Sequence, residues 1–205
     1  MGKLNVIILL ICIVMLVIKV ISVNNIIVID GYQYDKNSTS ITLYPKTNDF
    51  INKIENFKKL KELSIHPFKY DIEIYGSKCN EQQVQEILDK YTDVNDLSFL
   101  KCYSNIEYLN ICGCRVENIE FVSEMNNLET LIIKDTLIKD ISVIVNLEKL
   151  RYFDISNCSI HNYEFLLQCP ELKILYISNN QLNDEIENEL YSKGVNIVVN
   201  EEVAE

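Results

Sequence analysis

Ile106, Leu128, Leu150 and Leu172 stand 22 residues apart, and three further apolar columns keep the same step. They are Leu109, Leu131, Phe153 and Leu175; Ile111, Ile133, Ile155 and Ile177; and Val116, Ile138, Ile160 and Leu182. A fixed period of this length means that one short unit is copied and stacked. Within each copy apolar and polar residues alternate, as at Leu131-x-Ile133 and Leu175-x-Ile177, which is the period of a strand with one buried face. A single such strand cannot bury that face alone. Stacked copies place equivalent residues about 5 Å apart in a parallel sheet, and the apolar columns merge into one core.

Cys114, Thr136, Cys158 and Asn180 form a short polar column where the chain turns off the strand, suited to satisfying buried backbone groups by lateral hydrogen bonds. Asp96, Asn118, Asp140, Asn162 and Asp184 form a second polar column of turn- or cap-forming residues. The apolar pairs Phe99-Leu100, Phe121-Val122, Val143-Ile144 and Phe165-Leu166 follow, with room for one tight turn on the convex side. Each unit therefore reads Leu-x-x-Leu-x-Leu-x-x-(Asn/Cys/Thr)-x-Leu. With the Asp-Ile pair clearest at Asp140-Ile141, this resembles the short 22-residue class of leucine-rich repeat proteins that includes the bacterial internalins, over about residues 94 to 182. The resemblance implies an α/β solenoid with a parallel β-sheet on the concave face, short 3-10 or irregular turns on the convex face, and a cap at each end.

Upstream, Ile41-x-Leu43 and Leu63-x-Ile65 are again 22 apart. Before them Ile26–Tyr34 reads as a strand and turn positioned to cover the open amino-terminal edge. Between residues 66 and 92 the register slips. Tyr70–Tyr75 alternates like a strand, and Asn80-Glu81-Gln82-Gln83 makes a capping box for Val84, Ile87, Leu88 and Tyr91 at helical spacing. At the far end, Asp184 to Lys193 predicts a helix, Gly194 its end, and Val195–Val199 a last strand. The organisation expected is a short cytoplasmic n-region at 1–3, an apolar segment at 4–23, an N-terminal cap at 24–40, repeats at 41–183, irregular at 66–92, and a C-terminal cap at 184–205.

The largely apolar run from Leu4 to Val23, whose only charged residue is Lys19, reaches the roughly 20 residues that span a bilayer, and also suits a signal-peptide core. Ile11 before Cys12 excludes bacterial lipidation, and Val6 excludes myristoylation. The expected location is a single-pass membrane anchor with the repeats outside the cytoplasm, secretion being the alternative. Six cysteines lie beyond this run, but none faces another at a one-unit step, and Cys114 and Cys158, two units apart, stand beyond disulfide reach. Cys79 and Cys102 remain a near miss within the irregular stretch. Two histidines and no second cysteine pair beside Cys112-Gly113-Cys114 argue against a metal site, and no cofactor is expected.

Thirty acidic against nineteen basic residues, a net charge of −11, repel phosphate backbones, so nucleic acid is not an expected partner. No nucleophile elbow, phosphate loop or His-Glu-x-x-His occurs, so no enzyme is expected. The outward residues flanking each inward pair form three rows: Tyr108, Thr130, Tyr152, Ile174; Asn110, Ile132, Asp154, Tyr176; and Cys112, Lys134, Ser156, Ser178. Three tyrosines and Ile132 among small polar groups suit a contact surface. The resemblance implies that a protein partner is bound there, and the candidate residues are Tyr108, Asn110, Thr130, Ile132, Lys134, Tyr152, Asp154, Ile174 and Tyr176. At the margin Glu107 and Glu129 give way to Arg151 and Lys173, a sign change able to orient a partner. The alternative is a structural, assembly or accessory subunit of a membrane complex, whose concave face is idle.

Overall fold

The computed structural model describes residues 25–45, 50–67, 94–178 and 182–200. The apolar run at 4–23, the strand expected at 70–75, the helix expected at 80–91 and Cys79 lie outside the described residues.

Each 22-residue copy contributes one strand to a seven-stranded parallel sheet in chain order. The strands are β3 (Ser40–Leu43), β4 (Glu62–Ile65), β5 (Tyr108–Asn110), β6 (Thr130–Ile132), β7 (Tyr152–Asp154), β8 (Ile174–Ser178) and β9 (Asn196–Asn200). Register follows the repeat, with Leu109 beside Leu131, Leu131 beside Phe153 and Phe153 beside Leu175. All four are sealed from solvent, as are Ile106, Leu128 and Leu150 in the neighbouring column. Removing one such leucine side chain costs about 2–5 kcal/mol, the transfer term plus the cavity it leaves. Leu63 of β4 pairs directly with Leu109 of β5 although 46 residues separate them, so the irregular stretch adds no strand between them.

The convex side is closed by one turn of α-helix, α1 (Phe50–Ile54), and four 3-10 turns, η1 (Ser98–Cys102), η2 (Glu120–Val122), η3 (Ser142–Asn146) and η4 (Glu164–Gln168). The expected polar column starts three of these turns. Asp96, Asp140 and Asn162 each accept the backbone N–H two residues on at 2.8 Å. Leu100, Val122, Ile144 and Leu166 point inward from the turns and are buried. A column beside them, Tyr103, Met125, Leu147 and Cys169, also packs on the core, and this one the sequence reading did not name.

After β5, β6 and β7 the chain reverses through a left-handed residue. Gly113, Asp135 and Asn157 have φ of 75°, 56° and 57° and stand 22 apart. Glycine, aspartate and asparagine tolerate that conformation best. The short polar column performs its expected task. The Thr136 hydroxyl and the Cys158 thiol both donate to the carbonyl of Ile133, at 2.7 and 3.0 Å, and the Cys114 thiol reaches the carbonyl of Ile65 at 3.7 Å.

Both caps differ in detail from expectation. β1 (Ile26–Ile29) and β2 (Tyr32–Asp35) form a separate antiparallel hairpin and do not extend the main sheet. Asp30-Gly31, with φ of 48° and 88°, is the tight turn whose twist suits a hairpin. The hairpin touches the edge strand β3 through the Tyr34 hydroxyl, which donates to the Thr42 carbonyl at 3.1 Å, while the Tyr34 ring meets Phe57 edge-on at 6.2 Å. At the other end the closing helix α2 (Asp184–Ser192) is capped by Asn183, whose side chain accepts from the N–H of Ile186 at 2.9 Å, not by Asp184. Asp184 is instead the first helical residue, where its charge suits the positive end of the helix dipole. Gly194, with φ of 79°, ends the turn into β9 as expected.

Candidate functional site

The outward rows align in register on the concave face. Tyr108, Thr130, Tyr152 and Ile174 are cross-strand neighbours, as are Asn110, Ile132, Asp154 and Tyr176. Every candidate residue lies on this one surface. Seven of them reach solvent only in part, because each side chain leans on its equivalent one strand away, about 4.8 Å off. Lys134, the eighth, lies just past β6 in the turn, its ammonium 3.8 Å from Asp135.

The ninth, Asp154, departs from its expected place on the accessible surface. It is only 7% exposed, and its carboxylate turns back to accept the N–H of Ser156 at 3.0 Å. Ser156 and Ser178 of the third row are buried as well. Neighbouring copies hold both serines: the Asn200 amide of β9 donates to the Ser156 hydroxyl at 2.8 Å, and the N–H of Asn157, in the turn after β7, donates to the Ser178 hydroxyl at 2.8 Å. Short polar side chains here bond to neighbouring copies and leave no donor row open to a partner.

The aromatic part holds together. The Tyr152 and Tyr176 rings lie 5.2 Å apart at 33°, diagonal neighbours across β7 and β8. Burial, reinforced by Tyr176, holds the Tyr152 hydroxyl well above the ordinary phenol range. It stays neutral at physiological pH and serves as a hydrogen-bonding group. The same rows continue beyond the candidate set, to Glu62 and Ser64 before Tyr108 and Asn110, and to Asn196 and Val198 after Ile174 and Tyr176. The 22-residue step from Ile174 to Asn196 was the available signal for the last pair.

At the margin the charges pair between copies: Lys61 with Glu107, and Arg151 with Glu129 at 3.9 Å. All four side chains are exposed, so solvent and salt screen both pairs and neither contributes much to stability. The sign change from Glu129 to Arg151 is in this way compensated within the ladder.

Cys102, Cys114 and Cys169 are free thiols. Burial pushes the Cys169 thiol up to about 12 and the Cys114 thiol higher still, which makes both poor nucleophiles. Among the described residues no group of three or more His, Cys, Asp or Glu could hold a metal ion, and no helix is long and apolar enough to cross a membrane.

A stacked parallel sheet with 3-10 turns on its outer side defines a leucine-rich repeat solenoid of the internalin-like type. The family model for leucine-rich repeats in two copies matches residues 148–191. Among solved structures the chain is similar to an internalin, inlF, from Listeria monocytogenes, at 18% identity and a TM-score of 0.53, over 80% of this chain and 48% of that one. It is also similar to internalin C2 of the same organism, at 17% identity and a TM-score of 0.49, over 83% and 74%. A third similarity is to the plant peptide hormone receptor RGFR1 in complex with RGF2, at 15% and 0.41, over 82% and 33%. The chain thus spans about half the length of the first internalin. No curated protein matches it in sequence.

Proposed function

We propose that this chain is a non-enzymatic recognition module. It binds a protein partner on its concave sheet and is held outside the cytoplasm by the apolar segment at 4–23. The observation that carries the reading is the tyrosine surface of Tyr108, Tyr152 and Tyr176, with the last two in ring contact. Rigid amphipathic rings supply contact area at low entropy cost and dominate interface energetics. Ile132 and Ile174 lie between them and add apolar area.

Crosslinking from Tyr108 in the native membrane identifies the partner, and purified full-length chain then measures its affinity. Tyr108→Ala/Tyr152→Ala/Tyr176→Ala is expected to weaken binding at least about tenfold, the scale of losing one interface anchor. The thermal midpoint should fall by only a few degrees, since the ring pair contributes about 1 kcal/mol. Leu137→Ala, exposed in the loop between β6 and η3, should bind normally. Unchanged affinity in the triple variant overturns the concave-face reading, and a loss with Leu137→Ala alone moves the interface off the sheet, as the assembly reading requires.

A further inference from the structure

The hairpin at the N-terminal end carries an unusual outer face. Along β1 the side chains alternate, Ile27 and Ile29 turned to the core, Ile26 and Val28 turned out and 40% and 48% exposed. Tyr32 pairs with Ile29 and so lies on the inward face, while exposed Gln33 and Asp35, opposite Val28 and Ile26, complete the outer one. Aliphatic residues scattered singly on a surface need no explanation, but Ile26 and Val28 are the two successive outward positions of one strand.

Their position in the chain supplies the reason. Only Asn24 and Asn25 separate the apolar run from Ile26, so the Cα of Ile26 is at most about 11 Å from that of Val23. A polar headgroup layer is roughly 5–8 Å deep on each side of the hydrocarbon. A chain that leaves the bilayer at Val23 therefore starts β1 within or just above that layer.

Charge points the same way. Residues 25–61 carry six lysines against four acidic residues, whereas residues 94–200 carry eight basic against sixteen acidic ones. Lys58 and Lys59 are exposed and follow directly on Phe57, the residue that packs against Tyr34 of the hairpin. The N-terminal end of an otherwise acidic solenoid is thus the end an anionic surface attracts.

We propose that the outer face of the hairpin, led by Ile26 and Val28, docks on the phospholipid headgroup layer of the membrane that segment 4–23 enters. The inference rests on the anchored reading of that segment. Docking turns a flexible tether into a fixed mount, with the hairpin against the lipid, the lysines of residues 36–61 behind it and the acidic C-terminal cap away from it.

The chain contains no tryptophan, so one substitution installs a unique reporter. Full-length Val28→Trp is reconstituted in vesicles of phosphatidylcholine and phosphatidylglycerol, with and without bromine on the acyl chains. Full-length Tyr191→Trp, at the 51% exposed end of α2, serves as the distal control. Expected is a blue-shifted Val28→Trp emission that brominated lipid quenches about twofold or more, the depth at which interfacial tryptophan sits, and no quenching of Tyr191→Trp. Adding Ile26→Glu should reduce the quenching while the distal reporter keeps its emission. An unquenched Val28→Trp in a chain that resists alkaline wash overturns the docking and leaves the anchor standing. A blue shift without lipid quenching means that protein covers the face, which also overturns it. Release of the chain by alkaline wash fails the anchor, and the docking with it.

Discussion

The carbonyl of Ile133 receives two side-chain donors, Thr136 from its own copy and Cys158 from the next, and these two are in turn 3.4 Å apart. A buried carbonyl that loses one of two donors stays satisfied; one that loses both carries the full desolvation cost. Thr136→Val and Cys158→Ala should each cost no more than about 1 kcal/mol, and the double variant more than their sum, as read by urea unfolding. Additivity would show that the carbonyl is satisfied by other means. Asp140 offers a pH test. The Ser142 N–H bonded to its carboxylate holds it below the ordinary aspartate range, and Ser98 does the same for Asp96. The folded state therefore binds protons less readily than the unfolded one, so this contribution is complete above the ordinary aspartate pKa of about 3.9 and drains away as pH falls through the lower folded value. Asp96→Asn/Asp140→Asn keeps the acceptor, as Asn162 does in the next copy. It should leave the urea midpoint nearly unchanged at neutral pH and flatten its decline in acid.

At the scale of elements, the 3-10 turns, the hairpin and α2 are each set by a few local residues. Asn183→Ala removes the acceptor of the Ile186 N–H and should cost about 1 kcal/mol, with faster amide exchange in the first turn of α2 and little change in β5 to β7. Equal acceleration throughout would mean that the cap opens only with the whole solenoid. These elements were largely legible. The inward columns, the aspartate turns, the Asp-Gly hairpin and Gly194 all follow from local chemistry at a fixed period. Asn183 was missed because the period assigned Asp184 to the capping place, and the helix begins two residues earlier in the repeat than the turns it replaces. The left-handed column of Gly113, Asp135 and Asn157 was equally readable at 22-residue spacing, and its residue types carry the signal.

For the whole molecule, a solenoid is stable only as a stack, and its ends must be closed. Ile186 and Leu190 of α2 are buried at the C-terminal end, and the Lys193 ammonium bonds the Leu167 carbonyl at 2.9 Å. Ending the chain after Asn183 removes α2 and β9, which bares the edge of β8. The expected result is a lower unfolding midpoint than in any single-residue variant and soluble aggregates by light scattering. A monodisperse fragment with an unchanged midpoint would show that the cap is dispensable.

The sequence by itself determined the period, the strand direction, the buried columns and the sites of the turns, because each depends on residue type repeated at one spacing. Tertiary structure alone decided which outward residues remain accessible. Asp154, Ser156 and Ser178 have the same place in their copies as half-buried residues elsewhere that still reach solvent, yet they are closed off by Asn157, Asn200 and their own backbone. Accessibility depends on side chains one or two copies away, and a repeat read in isolation does not contain its neighbours. The pairing of β4 with β5 across 46 residues has the same origin. The unpaired edge of β4 takes the next available strand in register, however much chain lies between.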